Sequence, residues 1–92
     1  MSAETTYTNA FRDYQAGKSA IAFQEFSDYL KYFGNTSFAP NVQYYLADIY
    51  FRQQDFNNAL QSFDAVLEKY PDNPKTADAL YMNCLLYTSR CV

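Results

Sequence analysis

The fold is decided by one stretch of 34 residues: residues 40–73 read PNVQYYLADIYFRQQDFNNALQSFDAVLEKYPDN. Apolar side chains recur there every three or four residues, first over about 39–53 and again over about 56–69. This is the spacing of one face of an α-helix. Tyr70-Pro71 ends the second run, because proline is not tolerated in a helix interior. The stretch therefore predicts two helices joined by a short turn.

The same pattern occurs 37 residues earlier and begins again 37 residues later. Tyr7, Tyr44 and Tyr81 are separated by this interval. The same offset relates five further pairs, which are Ala10 and Ala47, Ala22 and Ala59, Phe26 and Phe63, Leu30 and Leu67, and Phe33 and Tyr70. Several matches at one offset indicate a repeated structural unit. We expect five helices, over about 3–16, 19–33, 39–53, 56–69 and from about 74 onward.

Glycine, proline and capping residues lie between these predicted helices. Gly17 ends the first helix, and Pro74 fits the first position of the fifth. Side chains that can accept a hydrogen bond from a helix N-terminus precede the later helices, and they are Ser37, Asp55 and Asn73.

Paired helices that repeat at about 34 residues are typical of the tetratricopeptide repeat (TPR), an all-α solenoid of helix-turn-helix units. The resemblance is carried by Leu46, Ala47, Tyr50, Phe56, Ala59, Phe63 and Pro71 in the second unit, and by Ala10, Gly17, Ala22 and Phe26 in the first. We expect about two and a half repeats within residues 3–83. Repeat 1 covers about 3–36, repeat 2 about 40–73, and a partial repeat 3 about 74–83.

The last nine residues, 84–92, read CLLYTSRCV and are expected to be non-native. They can be translated from a sequencing adapter joined to its own inverted copy, with the stop codon included. Cys84 and Cys91 both lie in this tail, so the cysteine count carries no argument about redox compartment.

Composition argues against most kinds of chemistry. The chain has no histidine, a net charge of −3 and 20% aromatic residues. Without histidine it lacks the commonest metal ligand and the usual general base. The acidic balance disfavours nucleic acid as a partner, and no apolar run is long enough to insert into a membrane. We expect a non-enzymatic protein that uses no cofactor and no metal.

The aromatic excess points to a protein or peptide partner. In TPR arrays the first (A) helices of the pairs line a concave groove that holds peptides, and tyrosine suits such a surface. By this register the partner-binding residues are Tyr7, Phe11, Tyr14, Asn41, Tyr44, Asp48, Phe51, Arg52, Asp78 and Tyr81. Asn41 is expected to bond a peptide backbone, and Arg52 to pair with a carboxylate. In the alternative interpretation, the tyrosines only pack the seam between neighbouring A helices.

Residues 38–51, FAPNVQYYLADIYF, and residues 70–75, YPDNPK, carry a more specific resemblance. Together with Asp78-Ala79-Leu80, they resemble the C-terminal repeat domain of the bacterial Tol-Pal-associated cell-division coordinator. That family implies a periplasmic protein that links outer-membrane constriction to peptidoglycan synthesis. The motif after the fourth helix is also similar to that of BamD-like outer-membrane lipoproteins, which implies a structural subunit of outer-membrane protein assembly. A cytoplasmic regulatory repeat is a third interpretation, and the ligand and oligomeric state stay open.

Overall fold

All five predicted helices are present. The computed structural model describes the backbone of residues 2–90 and the side chains of residues 2–86. The helices are α1 (Ala3–Gln15), α2 (Ser19–Phe33), α3 (Ala39–Arg52), α4 (Phe56–Lys69) and α5 (Pro74–Arg90). Within that described backbone there is no strand. The predicted all-α fold is therefore confirmed, with helix bounds within about one residue of those expected.

The turns that follow α1 and α3 have the same geometry, as the 37-residue repeat requires. Gly17 has a φ of 82° and Gln54, its equivalent in the second unit, has a φ of 62°. The next amide in each turn, that of Lys18 or Asp55, donates to a carbonyl in the last turn of the helix at 2.9 Å. A left-handed backbone is easy for glycine and costs other residues roughly 1–2 kcal/mol. Gln54 therefore carries strain that Gly17 does not.

Side chains cap the first and last helices. The Ser2 hydroxyl accepts a hydrogen bond from the Thr5 amide at 3.2 Å at the start of α1. Asn73 accepts from the Lys75 amide at 2.9 Å through its side-chain oxygen, directly before Pro74 opens α5. The predicted cap at Asn73 is thus confirmed.

The other two predicted caps act differently. Ser37 was the expected cap of α3, and this prediction is wrong: Phe38 is the N-cap residue, and it makes no side-chain cap bond. The chain enters α3 through a tight turn in which the Thr36 carbonyl accepts from the Ala39 amide at 3.2 Å, so the serine hydroxyl is not used. Asp55 does precede α4, but its carboxylate accepts from the Asn58 amide group at 2.7 Å and not from the backbone.

Small residues lie where the two helices of each pair pack. Ala10 and Ala22 of the first unit and Ala47 and Ala59 of the second are all fully buried. Their small side chains let the paired helices approach closely. The first core cluster holds Ala10, Ala22, Phe26, Tyr29, Ala39, Val42, Leu46 and Ile49. The second holds Ala47, Ala59, Leu60, Phe63, Val66, Ala79 and Leu86.

The helices stack in the order of a solenoid. Helix α1 packs on α2, α3 on α4 and α4 on α5, while α2 also packs on α3 and α3 contacts α5. The A helices are therefore α1, α3 and α5, and the second (B) helices are α2 and α4. The resulting body measures 45 × 28 × 17 Å. This is a TPR-like helical repeat fold, in which α5 is the A helix of a third unit.

Helix α5 runs past Asn83 into the segment expected to be non-native, as far as Arg90. Cys91 and Val92 lie outside the described residues. The repeat boundaries and the non-native tail stay predictions.

Candidate partner-binding site

Two aromatic side chains of α1 pack against one tyrosine of α3, and a third stacks on the phenylalanine that precedes α3. The ring centroid of Tyr45 lies 5.3 Å from that of Phe11 and 5.0 Å from that of Tyr14. Tyr7 stacks on Phe38, which directly precedes α3, at 4.6 Å. Aromatic pairs at these separations contribute about 0.5–1.5 kcal/mol beyond the area they bury. We call the surface formed by α1, α3 and α5 the A-helix face, and this aromatic layer is its floor.

The predicted α1 residues are half-buried in that floor. Tyr7 and Phe11 stack with their rings 5.9 Å apart, and Tyr14 also packs against the buried Phe26 at 6.2 Å. The seam interpretation thus describes most of the area of these rings. Only their remaining edges are left for a ligand.

A charged network joins α1 to α3 above the floor. The Tyr14 hydroxyl donates to Asp48 Oδ2 and accepts from Arg52 Nη2 at 3.0 Å. Arg52 Nε is also 2.9 Å from Asp48 Oδ2, and the guanidinium lies 4.8 Å from the centroid of the Tyr14 ring. The Asp48 side chain is 16% exposed and that of Arg52 is 58% exposed. The network therefore fixes the position of a guanidinium that still faces solvent.

Burial and the Asp48 carboxylate set the protonation of this network. Burial, then the hydrogen bond to Asp48, then its negative charge raise the pKa of Tyr14 well above the usual value for tyrosine. Arg52 acts in the opposite direction but does not cancel them. Tyr14 is therefore a stable hydrogen-bond donor at physiological pH.

A second cation joins α5 to α3. Lys75 Nζ lies 4.9 Å from the Tyr44 ring centroid and 5.2 Å from that of Tyr45, and it is 3.9 Å from Asp78 Oδ2. Tyr44 packs edge-on against the buried Phe63 at 5.5 Å. Burial, followed by the charges of nearby carboxylates, raises the pKa of Tyr44. Lys75 thus bridges the third unit to the aromatic floor.

The remaining predicted residues occupy different positions. Asn41 is half-buried beside Tyr7: burial raises the pKa of Tyr7, and a side-chain hydrogen bond with Asn41 opposes part of that effect. The ring centroid of Phe51 lies 5.6 Å from that of Phe56 of α4, and Phe51 packs on the second core cluster, as Tyr44 also does. Tyr81, which is 65% exposed, offers most of its ring to solvent.

Two members of this surface were missed from the sequence. Tyr45 has no aromatic equivalent in the other units, because Thr8 and Met82 occupy the matching positions. The helical stripe of positions 41, 44, 45 and 48 was the signal that could have found it. Lys75 reaches the floor only because of how α5 crosses α3, and local spacing carries no such signal.

The sequence matches the YfiO family, described as outer membrane lipoprotein, over residues 1–92. The chain belongs to this family. The match agrees with the second of the two resemblances, to BamD-like outer-membrane lipoproteins, and does not support the first, to the Tol-Pal-associated coordinator. No curated protein matches the sequence.

Neither a metal-binding cluster nor a membrane-spanning helix is present among the described residues. No group of three or more potential metal ligands comes together among them. None of their helices combines the length and the apolar character needed to cross a membrane.

Proposed function

We propose that this protein is a non-enzymatic scaffold of the bacterial outer membrane that binds a partner protein or an extended peptide across the A-helix face. Its family supports the envelope setting, with the domain on the periplasmic side. Within that setting, the match favours a structural subunit of outer-membrane protein assembly over a cell-division role.

The observation that carries the binding proposal is an exposed guanidinium held on a rigid aromatic floor. Arg52 is fixed by Asp48 and Tyr14, yet more than half of its side chain faces solvent. Because its rotamer is already set, binding a carboxylate or a backbone carbonyl would cost little further entropy. Arginine and tyrosine are also the side chains that most often dominate protein interfaces.

Tyr81 and Asp78 extend this surface onto α5. Both are exposed, and Tyr81 presents an apolar ring with a polar tip. The ring packs against an apolar side chain of the partner, while Arg52 pairs with a carboxylate or carbonyl oxygen. The half-buried tyrosines of α1 and α3 hold these groups in place.

The experiment is co-purification of the tagged full-length protein from detergent-solubilised outer membranes, followed by mass spectrometry. Outer-membrane assembly proteins should be recovered with the wild type and fall at least about fivefold with Arg52→Ala or Tyr81→Ala, as expected for central interface residues. Arg52→Lys tests whether charge alone suffices. Lys69→Ala, at an exposed cation of α4, is the matched control and should not change recovery.

Equal recovery with every variant would show that the A-helix face is not the binding surface. Recovery of Tol-Pal or division proteins in place of assembly proteins would favour the cell-division role. One result therefore contradicts the proposed binding surface, and a different result contradicts the proposed role in outer-membrane assembly.

A further inference from the structure

A second surface lies at the N-terminal end of the stack, on the side of α1 and α2 that faces away from α3. An open hollow of about 630 Å³ is lined there by Thr6, Asn9, Glu25, Asp28, Tyr32 and Phe33. Tyr32 is 68% exposed and Ile21, one turn from Glu25 on α2, is 54% exposed. We call this surface the end face. None of these residues is among the predicted partner-binding residues.

The internal repeat allows the end face to be compared with the equivalent surface of the second unit. Thr6 and Phe33 correspond, 37 residues on, to Gln43 and Tyr70. In the second unit these two residues line a smaller hollow together with Leu30 of α2 and Gly34, which directly follows α2. Gln43 is only 8% exposed, and the Tyr70 hydroxyl donates to the Gly34 carbonyl at 3.2 Å. The equivalent surface of α3 and α4 is therefore covered by the end of α2. The end face is the corresponding surface of α1 and α2.

Charge distinguishes the two equivalent surfaces. Three carboxylates of the first unit replace uncharged residues of the second, which are Asp13 for Tyr50, Glu25 for Ser62 and Asp28 for Ala65. Glu25 and Asp28 line the hollow itself. A helix like α2, with Phe23, Leu30 and Phe33 on its packing side, would leave these carboxylates without countercharges.

Of the three carboxylates, that of Glu25 has an oxygen atom without a hydrogen bond in the described part of the chain. Its Oε1 atom is buried and has no hydrogen-bond partner among the described residues. Burial, then a hydrogen bond shared with Asp13 and the charge of Asp13, raise the pKa of Glu25 to about 7, and Arg12 offsets only part of this. A cationic side chain placed in the hollow would supply the missing hydrogen bond to Glu25. It would also reduce the repulsion between the carboxylates of Glu25 and Asp13.

We propose that a basic amphipathic helix of a partner protein docks on the end face, in the position that α2 takes on α3 and α4. Its apolar residues pack on Ile21 and Tyr32, and its lysine or arginine residues pair with Glu25 and Asp28. A second copy of this chain fits poorly as the occupant. Its exposed apolar side chains on α5, Leu80, Tyr81 and Leu85, lie in a segment without lysine or arginine between residues 76 and 86.

The test is fluorescence anisotropy of the full chain with a labelled synthetic helix that has a leucine face flanked by lysines. A twin peptide with glutamate in place of lysine measures the role of charge. Ile21→Ala should weaken binding of the basic helix about five- to tenfold. Leu80→Ala is the matched control, because Leu80 is 53% exposed against 54% for Ile21. Glu25→Gln should weaken binding about two- to fivefold, and Glu68→Gln, at an exposed carboxylate of α4, should leave it unchanged.

Three results would overturn the proposal. One is equal binding of the acidic twin, and another is an equal loss with Leu80→Ala and Ile21→Ala. The third is self-association in sedimentation that Ile21→Ala abolishes, which would make a second copy the occupant. Circular dichroism of each variant shows that the fold is kept. None of these results bears on the A-helix face, whose variants are measured by co-purification.

Discussion

Removing one hydroxyl from the A-helix face tests the network that joins α1 to α3. In Tyr14→Phe the ring stays against Tyr45 and Phe26, while the bond to Asp48 and the bond from Arg52 are lost. Asp48 keeps its ion pair with Arg52 at 2.9 Å. The substitution therefore isolates the hydroxyl from the packing of the ring.

The expected loss is about 1–2 kcal/mol in the free energy of unfolding. Hydrogen bonds to charged groups contribute roughly 1.5–3 kcal/mol, and this site is partly open to water, which lowers the figure. For a domain of this size, each kcal/mol shifts the Tm by about 4–8 °C, so the Tm should fall by about 5–15 °C. Tyr32→Phe, at a ring that is 68% exposed, is the matched control and should shift the Tm by no more than about 2 °C.

The assay is thermal and urea unfolding followed by circular dichroism, with a double-mutant cycle between Tyr14→Phe and Asp48→Asn. The cycle should give a coupling of about 1 kcal/mol, since the two side chains touch. The raised pKa of Tyr14 determines whether stability rises or falls with pH in the alkaline range. Above about pH 10 the unfolded state releases the Tyr14 proton and the folded state retains it, so stability falls with pH, and less steeply in Tyr14→Phe. A coupling near zero, or equal effects of Tyr14→Phe and Tyr32→Phe, would refute the network.

Three further predictions concern stability. Gly17→Ala should lower the free energy of unfolding by about 1 kcal/mol and Gln54→Gly should raise it by a similar amount, because φ is positive at both positions. Urea unfolding of the two variants checks that the two changes have opposite signs. Phe63→Ala should cost about 3–5 kcal/mol and Phe56→Ala, at a ring 40% exposed on the same helix, about 1 kcal/mol; equal Tm shifts would contradict the assigned core. The pKa of Glu25 is raised from 4.5 to about 7, so its contribution to stability is present below pH 4.5 and is lost as pH rises through 7. In thermal melts, the Tm of the wild type should therefore fall between about pH 5 and pH 8, and the Tm of Glu25→Gln should fall less.

Most of the fold could be predicted because the chain repeats itself. Each unit has its apolar spacing, its alanines at the helix crossing and a distinct stop, such as Gly17 or Pro71. Local signals of this kind fix where helices begin and end. Ser37 was the exception, because the choice between a hydroxyl cap and a tight turn through Thr36 depends on how α2 and α3 pack.

The site was harder to predict, because its key contacts join different helices. Repeat register placed Tyr14, Asp48 and Arg52 on A helices, and the structure brings these three together. The same register missed Tyr45, whose equivalents in the other units are not aromatic. The carboxylates of Asp13 and Glu25 lie on separate helices, and nothing in their local sequence shows that they meet.

The most direct test of the central claim is site-specific photo-crosslinking in cells that make the full-length protein. A photoreactive phenylalanine replaces either Tyr81, on the A-helix face, or Gln61, which is exposed on α4. Crosslinks to an outer-membrane assembly protein from position 81, with none from position 61, are the predicted result. Crosslinks from position 61 alone would place the partner on the B helices and contradict the account.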